Sequence, residues 1–448
     1  MKTEIIIVGA GHGGLVAASK LAKKGFKVHI YETKGLDKLS WDWGDAFNRN
    51  VFKRVGIPEP VSSQFFIPES YSFSSPNEQY IIETHIPLEE RDISMERRAL
   101  IKRLVEHATD TGAEIFFQEK VTMPIIKEEK IIGVKLKNSE VYGDLIIDSA
   151  GINTPIRSQL PNSYGLSHKL QRGEFFYTYR AYFKKSTDEK NWLIYLGYKY
   201  KPGIAWVNTS DNFADILIGR IDPFKKGEIE EILQDLRKKH LAIGAKLLRG
   251  GQVALIPIRR TASMLVGPNY ALTGDAAFMT IPINGSGIAN SMISGKILSD
   301  VVIDAHDSSK KLFTTRNLWP YQYKYYKEIG AEMAYIEVIK NFLITLEDFK
   351  DIDFLFKKKL LKGYDIESSV LGKELKVSFF DIIGRAIRGI SRLGLLLDLA
   401  SNIGKGHAVK KHYLNIPKIY DAKTIKTWIE KGEKYFKPYY DKLAEANN

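Results

Sequence analysis

The reading of the chain turns on Glu4-Ile5-Ile6-Ile7-Val8-Gly9-Ala10-Gly11-His12-Gly13-Gly14-Leu15. The β-branched run before Gly9 predicts a short, fully buried parallel strand. Gly9-Ala10-Gly11-His12-Gly13-Gly14 matches G-x-G-x-x-G, and Leu15 to Leu21 reads as an alanine-rich helix. In that context Gly9 permits a tight turn, Gly11 lets backbone approach a pyrophosphate, and Gly14 lets helix pack on strand. Amides at the helix start then face phosphate. A second strand, Lys27 to Tyr31, ends at Glu32, 18 residues past Gly14. That carboxylate is placed to accept from a ribose. The whole unit predicts a Rossmann-type dinucleotide site.

Further along, two segments repeat the design. Asp144 to Gly151 reads as a buried strand ending in a small-residue turn, with Thr154 and Arg157 after it. Tyr270-Ala271-Leu272-Thr273-Gly274-Asp275-Ala276-Ala277 does the same, then continues through Pro282, Gly285 and Gly287 into a helix from about Ile288 to Ile303. This brings a second helix start to the cofactor, with Asp275 available to a ribityl hydroxyl. The combination points to FAD. No second G-x-G-x-x-G follows a strand, so a separate NADPH domain is not expected.

This three-part pattern resembles the flavoproteins that include the aromatic-ring hydroxylases, and Arg97 resembles their arginine near the flavin. Within them the chain is most similar to the archaeal-type geranylgeranyl reductases. The likeness is carried by Trp43-Gly44-Asp45-Ala46-Phe47, Asp148 to Arg157, Pro257-Ile258-Arg259-Arg260, Gly285 to Gly295, helical segments from about Trp319 to Leu361, and Tyr413-Leu414-Asn415-Ile416-Pro417. Two departures stand out. Trp43 occupies the place of a frequent family cysteine, and the substrate-side signature is reduced to Pro202 and Trp206.

The resemblance implies an α/β fold: a discontinuous FAD-binding domain at 1–170 and 259–308, an antiparallel sheet substrate domain at 171–258, and a C-terminal helical domain at 309–448. The alternating segments Phe175 to Phe183, Trp192 to Tyr198 and Asp215 to Ile221, with one helix near Ile229 to His240, agree with that middle sheet. It would roof the flavin and line an apolar tunnel. Candidate cofactor residues are Gly9, Gly11, His12, Gly13, Gly14, Glu32, Thr33, Gly44, Asp45, Ala46, Arg97, Ala150, Gly151, Gly274, Asp275, Pro282, Gly285, Gly287 and Ile288. Asp45 and Trp206 are the candidate catalytic residues. Trp206, Trp41 and Trp43 could stabilise developing positive charge with their ring faces. Asp45 could equally cap a helix beginning near Ala46.

Composition narrows partners. Lys and Arg exceed Asp and Glu by 66 to 53, a net +13 that favours anionic surfaces or substrates. No nucleic-acid signature accompanies it. There is no cysteine, which excludes disulfides, thiolate metal sites, cysteine-ligated iron–sulfur clusters and thiol nucleophiles, and no metal is expected. Met1 leads almost directly into the first strand, and no run of ~18 apolar residues occurs, so a cytoplasmic protein without a membrane span is expected. Phe380 to Leu399 interleaves Arg385, Arg388 and Arg392 with apolar residues, and Lys405, Lys410 and Lys411 follow. Such a stretch could lie on an anionic membrane, here the inner face, or be an ordinary solvated helix. The expected activity is reduction of double bonds in geranylgeranyl chains of membrane lipids, with electrons from a ferredoxin-like protein or NAD(P)H. A monooxygenase or halogenase for a hydrophobic substrate, and a non-catalytic lipid-binding flavoprotein, stand as alternatives.

Overall fold

The structure, a computed structural model, describes residues 4–68, 70–209, 212–308, 313–373, 385 and 387–445. Glu4–Val8 forms the predicted buried strand, flanked in parallel by Lys27–Glu32 and Leu145–Asp148. Tyr270–Leu272 and Glu114–Phe117 extend the parallel sheet on its two sides, and Val266–Gly267 adds an antiparallel edge. Ile5, Ile6, Ile7, Ile146 and Ile147 are wholly buried, as a parallel sheet covered on both faces requires. The first helix, His12–Lys23, packs against the long helix Ile288–Ser308. So the two glycine-lined segments, about 270 residues apart, meet in one layer.

A seven-stranded sheet stands over this unit. Its order is Ile243–Pro257, Phe175–Lys185, Phe213–Arg220, Gly203–Asn208, Trp192–Leu196, Ser72–Ser74 and Ile81–Glu83. The middle pairings are antiparallel, and Ser72–Ser74 joins Trp192–Leu196 in parallel. The sheet thus reaches beyond 171–258, taking its last two strands from near residues 70–85. The helix expected from Ile229 runs Glu228–Lys239, with acidic residues in its first turn and basic ones in its last.

Helices close the remaining side. Thr315–Tyr325 and Ala331–Ile344 are joined by the π-helical turn Tyr326–Gly330, and Leu393–Leu414 and Ala422–Glu445 pack behind them. Arg260, wholly buried, locks this layer to the nucleotide unit. Its guanidinium donates to Glu337 at 2.9 Å, Glu433 at 2.6 Å and the Tyr413 hydroxyl at 3.1 Å. Gly404 and Gly406 lie inside the helix Leu393–Leu414. Most of the expected basic stretch between Phe380 and Ala386 falls outside the described residues. Among the described residues no helix is long and apolar enough to cross a membrane.

Candidate functional site

Gly9 takes a φ of +83°, and a Cβ there would lie 2.7 Å from the Ala150 Cα. At Gly11 a Cβ would stand 2.4 Å from the Ser149 hydroxyl and 2.7 Å from its carbonyl. The first turn therefore rests on the turn after Asp148 with no room for side chains. Asp148 fixes that second turn: it is fully buried and accepts from the Tyr270 hydroxyl at 2.6 Å, the Ala150 amide at 3.1 Å and the Thr154 hydroxyl. At the helix start, the Gly13 amide donates to Ser291 at 3.0 Å and the Gly14 amide to Ser149 at 3.1 Å. Ser149 and Ser291 thereby satisfy two of the four orphan amides. The amides of Gly11 and His12 have no acceptor among the described residues.

A cavity of about 570 Å³ opens over this cradle. Gly9, Gly11, His12, Glu32, Ala150 and Gly151 line it from the first two turns. From across the layer come Gly274, Asp275, Gly285, Gly287 and Ile288, and Asp45, Ala46, Arg97 and Trp206 line it too. Of the residues singled out in the sequence, Gly13, Gly14, Thr33, Gly44 and Pro282 are not on its wall. Gly13 and Gly14 serve packing instead: a Cβ on Gly13 would meet the Thr273 hydroxyl at 2.2 Å. The Gly44 amide donates to the Tyr182 hydroxyl at 2.8 Å. Asp45 lies in the strand Gly44–Phe47, paired with Ile93–Glu96, so it caps no helix.

These residues fit FAD. The cradle admits backbone but no Cβ, which suits a pyrophosphate, and two unengaged amides at a helix start supply donors for it. Glu32 accepts the Ala10 and Lys34 amides at 2.9 and 2.8 Å, and each oxygen keeps a lone pair for a ribose hydroxyl. Asp275 has its carboxyl pushed up by burial, with Arg97 opposing, as befits a group waiting for a hydroxyl partner. His12 is lowered to about 3, by burial first and then by Arg97.

Toward the roof, charges alternate. Arg97 pairs with Asp45 at 3.2 Å, Asp45 with Arg180 at 3.2 Å, and Arg180 makes a two-pronged contact with Asp215 at 3.0 and 2.7 Å. Burial works against the Arg180 charge, yet Asp215, Tyr182 and Asp45 outweigh it and raise its pKa. Its guanidinium lies 5.1 Å from the Trp206 ring, 5.4 Å from Tyr182 and 5.9 Å from Trp43. Trp41 stacks on Trp43 at 4.9 Å. The rings considered from sequence for cation stabilisation thus already hold a cation of the protein.

Sequence reasoning missed Arg180, Asp215, Asp92 and Lys340. The first two had a signal: a charge inside an apolar strand must be paired. Asp92 lines the cavity beside Tyr71 and Thr84, and burial pushes its carboxyl up to about 6. Lys340 lines it from the helix Ala331–Ile344, donates to the Gly173 carbonyl at 2.6 Å, and is lowered to about 8 by burial. The rest of the far wall is mostly apolar, with Phe73, Ile194, Phe342, Leu360, Leu361 and Leu399, and Arg91 and Asp365 among them.

Comparison with known proteins agrees with this geometry. A family described as FAD binding domain matches residues 2–298. The chain is 25% identical over 439 residues to digeranylgeranylglycerophospholipid reductase of Sulfolobus acidocaldarius, covering 93% of this chain and 94% of that one. A protein of Methanococcoides burtonii named digeranylgeranylglycerophospholipid reductase 2 is 25% identical over 403 residues, covering 85% and 96%. Among solved structures, a geranylgeranyl bacteriochlorophyll reductase-like protein from Thermoplasma acidophilum superposes with a TM-score of 0.70 at 20% identity, over 88% of this chain and 99% of that one. The halogenase PltM superposes with a TM-score of 0.60 at 18% identity, over 97% and 96%. These last two likenesses concern the fold.

Proposed function

The chain belongs to the FAD-binding domain family, and from that membership we propose that this FAD-dependent oxidoreductase saturates isolated carbon–carbon double bonds in the isoprenoid chains of membrane lipids or their precursors. The observation that carries the reading is the cavity, whose wall passes from the glycine cradle beneath the sheet to Leu360, Leu361 and Leu399. A partly enclosed, mostly apolar wall drawn from three parts of the chain suits a flexible hydrocarbon, whose binding would displace water. The two relatives named for this lipid class, matched over most of the chain, support it. Electrons come from an external donor, a ferredoxin-like protein or NAD(P)H, and the lipid from an anionic membrane to which the protein attaches peripherally, on the cytoplasmic side.

Bound FAD, when reduced, supplies a hydride. The protein's residues do the rest. An isolated alkene is unpolarised, so a proton must reach the second carbon as charge develops there. Asp92, at about 6, can hold a proton at its carboxyl near neutrality and release it into the cavity. Trp206 and Asp45, steadied by Arg180, shape the part of the wall nearest the cradle.

Anaerobic reduced protein mixed with a geranylgeranylated lipid should reoxidise and yield products heavier in two-hydrogen steps by mass spectrometry. Oxygen-dependent insertion of oxygen or halogen, with no hydrogenated product under anaerobic conditions, would overturn the proposal.

Asp92→Asn gives a second check. The folded pKa of about 6 lies above the ~3.9 of an unfolded aspartate. Its burial therefore costs stability above that range and nothing below ~pH 4. The variant should be more stable near pH 8, by about 1–2 kcal/mol in urea unfolding, and match wild type in acid, while its turnover falls. A variant as active as wild type would remove Asp92 from the proton path.

A further inference from the structure

Of the large apolar side chains bare on the described surface, four fall within one short stretch. Ile387, Ile390, Leu393 and Leu397 are 68%, 70%, 55% and 61% exposed. Leu393 and Leu397, four residues apart, share one face of the helix Leu393–Leu414, and Ile390 lies in the turn Ile390–Arg392 that leads into it. A soluble surface seldom concentrates such residues without a partner. The cavity wall lies directly beside this stretch. Leu399 lines it, as do Leu360 and Leu361. Gly389 sits so close to Leu360 and Leu396 that a Cβ there would meet them at 3.1 and 2.7 Å. One thickness of chain therefore separates an apolar exterior from the cavity.

Cations border this face. Arg388 donates to the carbonyls of Lys358 at 3.1 Å and Lys359 at 3.3 Å, which brings Lys357, Lys358 and Lys359 alongside. None of these four has a carboxylate partner among the described residues, whereas Arg385 is paired with Asp365 and Arg392 with Asp351. A second copy of the chain would bring the same cations face to face. An anionic bilayer satisfies both features at once, with phosphates for the collar and acyl chains for the isoleucines and leucines.

We infer that residues 387–397 form a lip that inserts into the acyl boundary of an anionic membrane and through which an isoprenoid chain passes into the cavity without crossing water. The passage of the chain rests on the proposed reductase activity; the insertion does not.

The test uses the full-length flavoprotein with vesicles of phosphatidylcholine alone or mixed with phosphatidylglycerol. Wild type should co-sediment with the anionic vesicles, less so at high salt. Leu393→Asp combined with Leu397→Asp should lower that partitioning at least about tenfold, with flavin content and thermal midpoint unchanged. Both positions are exposed and off the cavity wall. Reduction of prenyl lipid held in vesicles should fall in parallel, while reduction of a short prenyl alcohol dispersed in detergent should not. Equal vesicle binding by the two proteins, absence of binding by wild type, or a wild-type dimer that the substitutions dissociate would each overturn the lip. If neither protein reduces any alkene but the vesicle difference persists, the lip stands and the reductase reading fails.

Discussion

Gly295→Ala is expected to give protein that retains at least about tenfold less flavin than wild type, measured as flavin absorbance per mole of purified chain. Gly295 lies in the helix Ile288–Ser308 where it crosses the start of the first helix, and a Cβ there would fall 2.1 Å from the Gly13 carbonyl oxygen and 2.9 Å from its carbonyl carbon. Ordinary contact needs roughly 3.5 Å, so the helices must part by about an ångström or more. The obstacle is backbone, which cannot rotate away. The parting moves Gly11 and His12 relative to Asp275 and Gly287, the two sides that must close on one nucleotide. Alanine also favours a helix by up to about 1 kcal/mol over glycine, which makes the sign of the result informative. Gly404→Ala is the control: Gly404 is exposed in the helix Leu393–Leu414, with nothing within 4 Å of its Cβ position. It should keep full flavin and unfold no earlier than wild type. If Gly295→Ala also kept full flavin, the close crossing of the two helices would not be what aligns the halves of the site.

The contrast between these glycines shows what a single sequence displays. Gly9 and Gly11 were legible because the turn they make is local: strand, positive φ and helix start lie within a few residues. Glu32 was legible by its spacing along the same unit. Gly295 was quoted within a motif, but its reason, a carbonyl 282 residues earlier, exists only after folding. The strands Phe175–Lys185 and Phe213–Arg220 were visible from their alternation. Ser72–Ser74 and Ile81–Glu83 were not, because three-residue strands carry no period to read, and they form by pairing, the first onto Trp192–Leu196 and the second onto the first. The far end of the cavity was opaque for the same reason. Asp92, Lys340 and Leu399 come from three separate elements, and no spacing links them.

Arg180→Met should cost about 3–5 kcal/mol, a large share of the roughly 5–15 kcal/mol that holds a domain folded. In the sheet register Tyr182 faces Asp215, so Arg180 reaches that carboxylate diagonally across two strands. Methionine matches much of the arginine stem but leaves Asp215, almost fully buried, with no counter-charge. Arg180→Lys should recover little. A point charge cannot reproduce a fork that grips Asp215 with two nitrogens and Asp45 with a third. Two measurements isolate the cause. In acid, protonating the stranded carboxylate removes the buried charge, so the deficit of Arg180→Met in urea unfolding should narrow as pH falls. Removing both partners, with Arg180→Met and Asp215→Leu together, should restore most of the stability, since an apolar pair of similar volume needs no counter-charge. A double variant as unstable as the single one would mean that the arginine stabilises through its contacts with Trp206 and Tyr182 rather than through the ion pair. Restored stability with turnover still lost would separate folding from function: the charge chain from Arg97 through Asp45 to Arg180 would then be kept for the shape and polarity of the cavity wall beside the flavin, which an apolar pair cannot supply.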